Sequence, residues 1–211
     1  MAPLKLVIFD CDGVMFDSKD ANRIYYNHLL EEFGHPLMDE QEEDYVHSHN
    51  VLDSVNFIFR KYPREIEEVN QYRISVDYTP FLKYMVIEPD LKEFLGILKP
   101  KFYTAISTNR SNTMPSVMKM HDLESYFDLV VTSLDVERPK PHTEGLVKIL
   151  NHFQLSASEA VYIGDSMVDR EHTAGVNMRL ISFKNPDLPA EYHVNSFLDI
   201  PQLSIFDGLA S

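Results

Sequence analysis

The sequence predicts an α/β fold, a parallel sheet layered with helices and interrupted by a helical insertion. Three observations carry this prediction. Near-continuous apolar runs, the mark of strands buried on both faces, recur at residues 4–9 (LKLVIF), 102–107 (FYTAIS), 127–132 (FDLVVT), 160–163 (AVYI) and 179–183 (RLISF). Helical patterns separate the later runs. The gap between the first two runs is too long for one crossover and has a helical periodicity of its own.

The elements follow in order. Residues 4–9 form the first strand and stop at a polar stretch, FDCDGVMFDS. The next segment, 17–86, is rich in Glu, Tyr and His and has no strong strand. Ala21, Ile24, Tyr25, His28 and Leu29 share one helical face, and Val51, Val55, Ile58 and Phe59 share another. It reads as an inserted helical domain with hinges near Asp17 and near residues 86–89. Residues 1–16 and 87–211 then make the core domain. After the hinge, helices at 90–98, 113–120 and 143–153, and a short one after Asp165, alternate with the remaining strands. That order implies βαβ units with right-handed crossovers.

Composition narrows the function. A chain of 211 residues builds one sizeable core, or one core plus a smaller inserted unit. The formal net charge of −14 repels DNA, RNA and anionic lipid, so no nucleic-acid partner is expected. A small anionic substrate would need local cations or a metal. No apolar run approaches the ~20 residues of a membrane span, so no membrane partner is expected either. The first nine residues read as a strand and not as a signal peptide. The single cysteine, Cys11, excludes an internal disulfide, and the expected location is the cytoplasm.

Four polar clusters carry the chemistry. Asp10 and Asp12 end strand one, where alternation puts them on the same side and Cys11 on the other. Two carboxylates this close need a cation between them or a shared proton. Gly13 allows a sharp turn or a close ligand approach. Alone, D-x-D-G reads in most chains as a turn or a weak metal loop. After strand two comes Ser107-Thr108-Asn109-Arg110, whose hydroxyl and amide can donate to an anion or serve as a plain helix cap. Arg138, Pro139, Lys140, Pro141 and His142 form a stiff cationic loop or a proline-rich turn. After strand four, Asp165 and Asp169 lie four apart on one helical face, where acidic residues also suit the helix dipole.

The order and placement of these clusters resemble the haloacid dehalogenase (HAD) superfamily, in its phosphoglycolate-phosphatase-like and β-phosphoglucomutase-like group. Asp10-Cys11-Asp12-Gly13-Val14 matches the first motif, D-x-D-G-[TV]; Thr108-Asn109 the second; Lys140-Pro141 the third; Gly164-Asp165-Ser166 with Asp169 the fourth. The likeness spans Leu4 to about Phe183 and implies a Rossmann-like parallel sheet core, the HAD fold, with the insertion as an α-helical cap that closes over the site.

The resemblance further implies a Mg²⁺-dependent phosphatase acting on a small phosphorylated metabolite. Asp10 would be the nucleophile that forms an aspartyl-phosphate, and Asp12 the general acid and base. Thr108, Asn109 and Lys140 would hold the phosphoryl oxygens. Mg²⁺ would bind Asp10, the backbone carbonyl of Asp12 and Asp165, with Asp169 supporting its water shell. Lys140 takes the third-motif role over Arg138, because Pro141 and Glu144 then fall into family register. A phosphosugar mutase uses the same four motifs, and a catalytically silent scaffold acting as a binding protein stands as the alternative class. Gly175 comes only six residues after Asp169, which shortens the fourth-motif helix. His47 and His49 do not face one another on a helix and read as exposed polar residues, not as a metal pair.

Overall fold

The computed structural model describes residues 3–49, 51–99 and 101–206. In chain order, β1 (Leu6–Phe9) and β2 (Phe16–Asp17) precede four helices, α1 (Lys19–Glu32), α2 (Glu40–Ser48), α3 (Val51–Ile58) and α4 (Ile66–Ser75). After β3 (Val86–Ile87) come α5 (Leu91–Leu98), β4 (Tyr103–Ser107), α6 (Met114–Met120), β5 (Leu129–Val131) and α7 (Glu144–Phe153). The series closes with β6 (Ala160–Gly164), α8 (Met167–Ala174), β7 (Arg179–Phe183) and β8 (Tyr192–Val194). The chain divides into two compact units, Met1–Asp17 with Ile87–Ser211, and Ser18–Val86. Among the described residues no helix is long and apolar enough to cross a membrane.

The first unit is a six-stranded sheet in the order β5-β4-β1-β6-β7-β8, with every pairing parallel. β1 sits inside it, between β4 and β6. Its four residues are wholly buried because the pleat feeds two cores. Leu6 and Ile8 pack with Ala105, Tyr162 and Leu180 against Leu146 and Ile149 of α7. Phe9 enters the other layer, 6.1 Å from Phe94 and 6.1 Å from Phe197, and those two rings stack at 5.5 Å. Each such side chain contributes roughly 1.5–3 kcal/mol of burial. Together they fix the strand whose end carries Asp10.

The chain builds β4 and β5 on one side of β1, then returns to build β6, β7 and β8 on the other. The carboxyl edge beside β1 is therefore the topological switch point, where open α/β sheets bind ligands. β8 and the short helical turns at Phe197–Gln202 and Ser204–Phe206 lie beyond the last strand read from the sequence. β8 carries an exposed histidine, His193, at its centre and so lacks the continuous apolar run that marked the other strands.

One further difference has a local cause. The expected first strand shortens to Leu6–Phe9, so Asp10 and Asp12 are not on a continuing strand. The backbone turns instead, with the N–H groups of Met15 and Phe16 both donating to the Cys11 carbonyl. The helix carrying Asp169 is short, as Gly175 led one to expect: it ends at Ala174, and Gly175 caps it against Thr143, where a Cβ would overlap the Thr143 methyl.

The second unit is helical. Tyr25, Tyr26, Leu29 and Leu30 of α1 form its core with Met38, Val46, Val55, Ile58, Phe59 and Val69. The buried face of α1 is rotated from the one read in the sequence: Tyr26 and Leu30 join it, and Ile24 and His28 are only half-buried. Both tyrosines find partners, Tyr25 at 5.3 Å from Tyr26 and 5.0 Å from Tyr78. α2 starts at a reciprocal cap in which Asp39 accepts from the Glu42 N–H and Glu42 accepts from the Asp39 N–H. His49 is exposed and stacks on Tyr45 at 3.7 Å.

Candidate active site

Asp10 is the first residue past β1, and its N–H still donates to the Ile163 carbonyl of β6 at 2.9 Å. The register of the two central strands therefore fixes the backbone of Asp10. Its Oδ1 accepts from the Cys11 N–H and from Lys140 Nζ, both at 2.7 Å. Lys140 arrives from the loop before α7. Its side chain is 5% exposed, and its ammonium also reaches Asp169 Oδ1 at 2.7 Å and the Tyr162 hydroxyl at 3.1 Å. Arg138, two residues earlier, points to solvent and meets Glu144 at 3.6 Å, so only Lys140 of the two enters the site.

Asp165 and Asp169 come from the β6–α8 junction. Ser166 caps α8, accepting from the Asp169 N–H, and its hydroxyl donates to Asp169 Oδ2 at 2.8 Å. The N–H of Asp165 donates to the same oxygen at 3.2 Å. Asp169 is thus held from three directions and wholly buried. Asp165 is freer, and its carboxylate faces the backbone of Gly13, where a Cβ would overlap it. Gly13 also has φ of +79°, so glycine is required there twice over.

Oxygens of Asp10, Asp165 and Asp169 lie within 4.8 Å of one another. Three carboxylates against one lysine leave an excess of negative charge in a buried place. The ionisation responds. Burial and the nearby Asp169 push Asp10 well above the usual carboxylate range, against the pull of Lys140. Burial and Asp169 push Asp165 up to about 7. Burial also acts on Asp169, but Lys140 and the Ser166 hydroxyl outweigh it and hold that group low. Burial lowers Lys140, yet Asp10 and Asp169 more than reverse it, so its ammonium is firmly charged. An oxygen-lined cluster of this kind, still short of positive charge, fits a hard divalent cation.

Thr108 is the first residue past β4, with its N–H on the Val131 carbonyl of β5 at 3.1 Å. Asn109 is exposed and donates from Nδ2 to the Lys140 carbonyl at 3.0 Å, which ties the second cluster to the third. Asp12 is not in the carboxylate cluster. Its two oxygens accept from Nη2 and Nε of Arg110 at 2.5 and 3.2 Å. The structure therefore brings Asp10, Lys140, Asp165 and Asp169 into contact, and sends the Asp12 carboxylate to a different cation.

Three side chains supporting these groups were not singled out by sequence reasoning. The Tyr162 hydroxyl lies 2.8 Å from the Ser107 carbonyl and 3.1 Å from Asp169 Oδ1. Asn185, in the loop after β7, donates to the Asp165 carbonyl at 2.7 Å. Arg110 was visible as a neighbour of Thr108 and Asn109, but its partner lies 98 positions away. The cationic residue beside the second cluster was the available signal.

A parallel α/β sheet carrying a lysine and clustered carboxylates at its switch point has its polar groups where open α/β folds bind their ligands. Residues 7–183 match the haloacid dehalogenase-like hydrolase family, and the chain belongs to that family. It is 35% identical to a HAD-superfamily hydrolase of subfamily IA, variant 1, from Geobacter sulfurreducens PCA, with a TM-score of 0.81 over 94% of this chain and 95% of the other. It is 25% identical over 177 residues to pyrophosphatase PpaX from Bacillus cereus (strain Q1), covering 79% of this chain and 76% of that one. The fold is shared with a β-phosphoglucomutase from Clostridium difficile, with a TM-score of 0.73, 19% identity and coverage of 92% of each chain.

Proposed function

We propose that the protein is a Mg²⁺-dependent phosphatase that hydrolyses a small phosphorylated metabolite through an aspartyl-phosphate on Asp10. The observation that carries this reading is the contact of Lys140 with both Asp10 and Asp169, beside an acidic cluster that wants a cation.

In this reading an oxygen of Asp10 attacks phosphorus, and the bond from phosphorus to the leaving oxygen breaks. Asp12 gives its proton to that oxygen. Water then attacks the aspartyl-phosphate, Asp12 takes a proton from it, and phosphate leaves with Asp10 restored. Thr108, Asn109 and Lys140 hold the phosphoryl oxygens as charge shifts among them. Asp10, Asp165 and the Asp12 backbone carbonyl would hold Mg²⁺, and Asp169 would steady its surroundings. Bound there, the ion would neutralise phosphoryl charge. The helical unit Ser18–Val86 takes the part of the substrate-reading cap.

Phosphate release from a panel of small phosphate esters and anhydrides tests the reading, with Mg²⁺ and with EDTA. Turnover that needs Mg²⁺ and drops at least about 1,000-fold in Asp10→Asn supports it. Folded, Mg²⁺-loaded protein that releases no phosphate from any member overturns it.

A further inference from the structure

Arg110 is planted more firmly than a residue that merely neutralises a neighbour. Its side chain is 7% exposed. Nη1 donates to Thr113 Oγ1 at 3.1 Å, and the backbone N–H donates to Thr108 Oγ1 at 3.0 Å. These contacts aim the remaining edge, Nε and Nη2, at both oxygens of Asp12. This two-on-two geometry is the way a guanidinium recognises a carboxylate or a phosphate.

The proposed chemistry needs Asp12 elsewhere. Its carboxyl must reach the leaving oxygen to give a proton and must later reach a water. In the structure both of its oxygens accept from Arg110 instead. The Asp12 side chain is 34% exposed, so it has room to turn. When it turns, Nε and Nη2 of Arg110 stay where Thr113 and the backbone hold them. A fork built for an anion then stands one residue beyond the proposed phosphoryl-binding pair, Thr108 and Asn109.

We propose that Arg110 is the receptor for a second anionic group of the substrate, and that the Asp12 carboxylate fills that place in its absence. This rests on the reading of Asp12 as the acid and base. The substrate class is then a phosphoryl compound with a second phosphate or carboxylate close to the transferred group. Asp12 spans fork and leaving oxygen by rotating one short side chain, so only a short spacer fits between the two anions. Inorganic pyrophosphate and 2-phosphoglycolate have that form, and ethyl phosphate lacks the second charge. Substrate binding would also free Asp12 by displacing it.

The test compares phosphate release from these three compounds by wild type, Arg110→Gln and Arg110→Lys, in Mg²⁺. Arg110→Gln is expected to raise KM for a doubly charged compound about 30-fold more than for ethyl phosphate. Arg110→Lys should recover part of that difference. Whichever doubly charged compound responds more identifies the second anion as phosphate or carboxylate. An equal change for all three overturns the proposal and leaves Arg110 as a positioning residue for Asp12.

A second measurement needs no turnover. Calorimetric binding of methylenediphosphonate and ethylphosphonate is compared between wild type and Asp12→Asn. Removing the competing carboxylate should tighten the diphosphonate at least about tenfold and leave ethylphosphonate within about threefold. Unchanged diphosphonate affinity overturns the proposal. Tightened diphosphonate binding in a protein that turns over none of the three compounds upholds the fork and defeats the phosphatase reading.

Discussion

The ammonium of Lys140 lies 2.7 Å from Asp10 Oδ1 with both side chains almost fully buried, and the same nitrogen lies 2.7 Å from Asp169. One cation therefore serves two carboxylates, one at the end of β1 and one in the first turn of α8. Removing it leaves buried charges without compensation, a loss that typically reaches 3–5 kcal/mol, roughly. Lys140→Ala is expected to lower unfolding stability by about that much in metal-free protein at neutral pH. Urea denaturation reads the change, and a loss below about 1 kcal/mol contradicts the arrangement.

The acidic cluster makes a metal prediction. Burial and Asp169 raise Asp165 because negative charge is crowded there. Mg²⁺ should stabilise the wild type by mass action, by about 2.7 kcal/mol at one hundred times its Kd. Asp165→Asn removes a proposed ligand and also relieves the crowding. Scanning calorimetry should show the variant losing the Mg²⁺-dependent rise in Tm while its metal-free Tm above pH 7 is equal to or higher than that of wild type. A variant that keeps the full rise places the metal elsewhere.

His172 gives a pH dependence with a defined sign. It is fully buried, with Nδ1 2.7 Å from the His142 carbonyl and Nε2 3.0 Å from Ser107 Oγ. A carbonyl only accepts, so Nδ1 carries the proton and Nε2 accepts from the serine. Burial, then Lys140, lowers its pKa from 6.5 to about 4. Between those values the unfolded chain binds more protons than the folded one, so stability falls as pH drops through the window. The contribution is intact above pH 6.5 and is lost towards pH 4, and amounts to about 3 kcal/mol. His172→Gln should flatten this part of the stability curve, and an unchanged slope between pH 6.5 and 4 counts against it.

Gly13→Ala should cost activity more than stability. The added Cβ would overlap the Asp165 carboxylate and would need the left-handed φ of +79°. Backbone strain of this kind costs about 1–3 kcal/mol. Displacing Asp165 should in addition weaken apparent Mg²⁺ affinity at least about tenfold. Titration of phosphate release with Mg²⁺ checks this, and an unaltered half-saturating concentration would show that Asp165 is not where the ion is felt.

What the sequence revealed and what it hid follow from the range of the interactions. Strand one was legible because Leu6, Val7, Ile8 and Phe9 are all apolar, as burial on both faces demands. The positions of Asp10, Thr108 and Asp165, each just past a strand end, were legible because the local pattern marks where the strands stop. The parallel sheet followed from alternation, but its order, with β1 between β4 and β6, is set by packing that no local window contains. The helical face of α1 was off by a residue because two adjacent tyrosines are buried together. In the site, pairing was the hidden part. Alternation suggested that Asp10 and Asp12 would share one fate, but β1 ends at Phe9 and the two carboxylates take separate cations. Tyr162 and Asn185 act through contacts 55 and 20 positions apart, beyond any periodicity.

Asp10 is the group proposed to take the phosphoryl. The most direct measurement mixes protein, Mg²⁺ and a turned-over substrate, quenches in acid within one turnover, and maps the added mass by peptide mass spectrometry. The account predicts one phosphoryl group on the peptide containing Asp10, absent from Asp10→Asn and absent with EDTA. A phosphoryl group on any other residue, or undiminished turnover by Asp10→Asn, would contradict it.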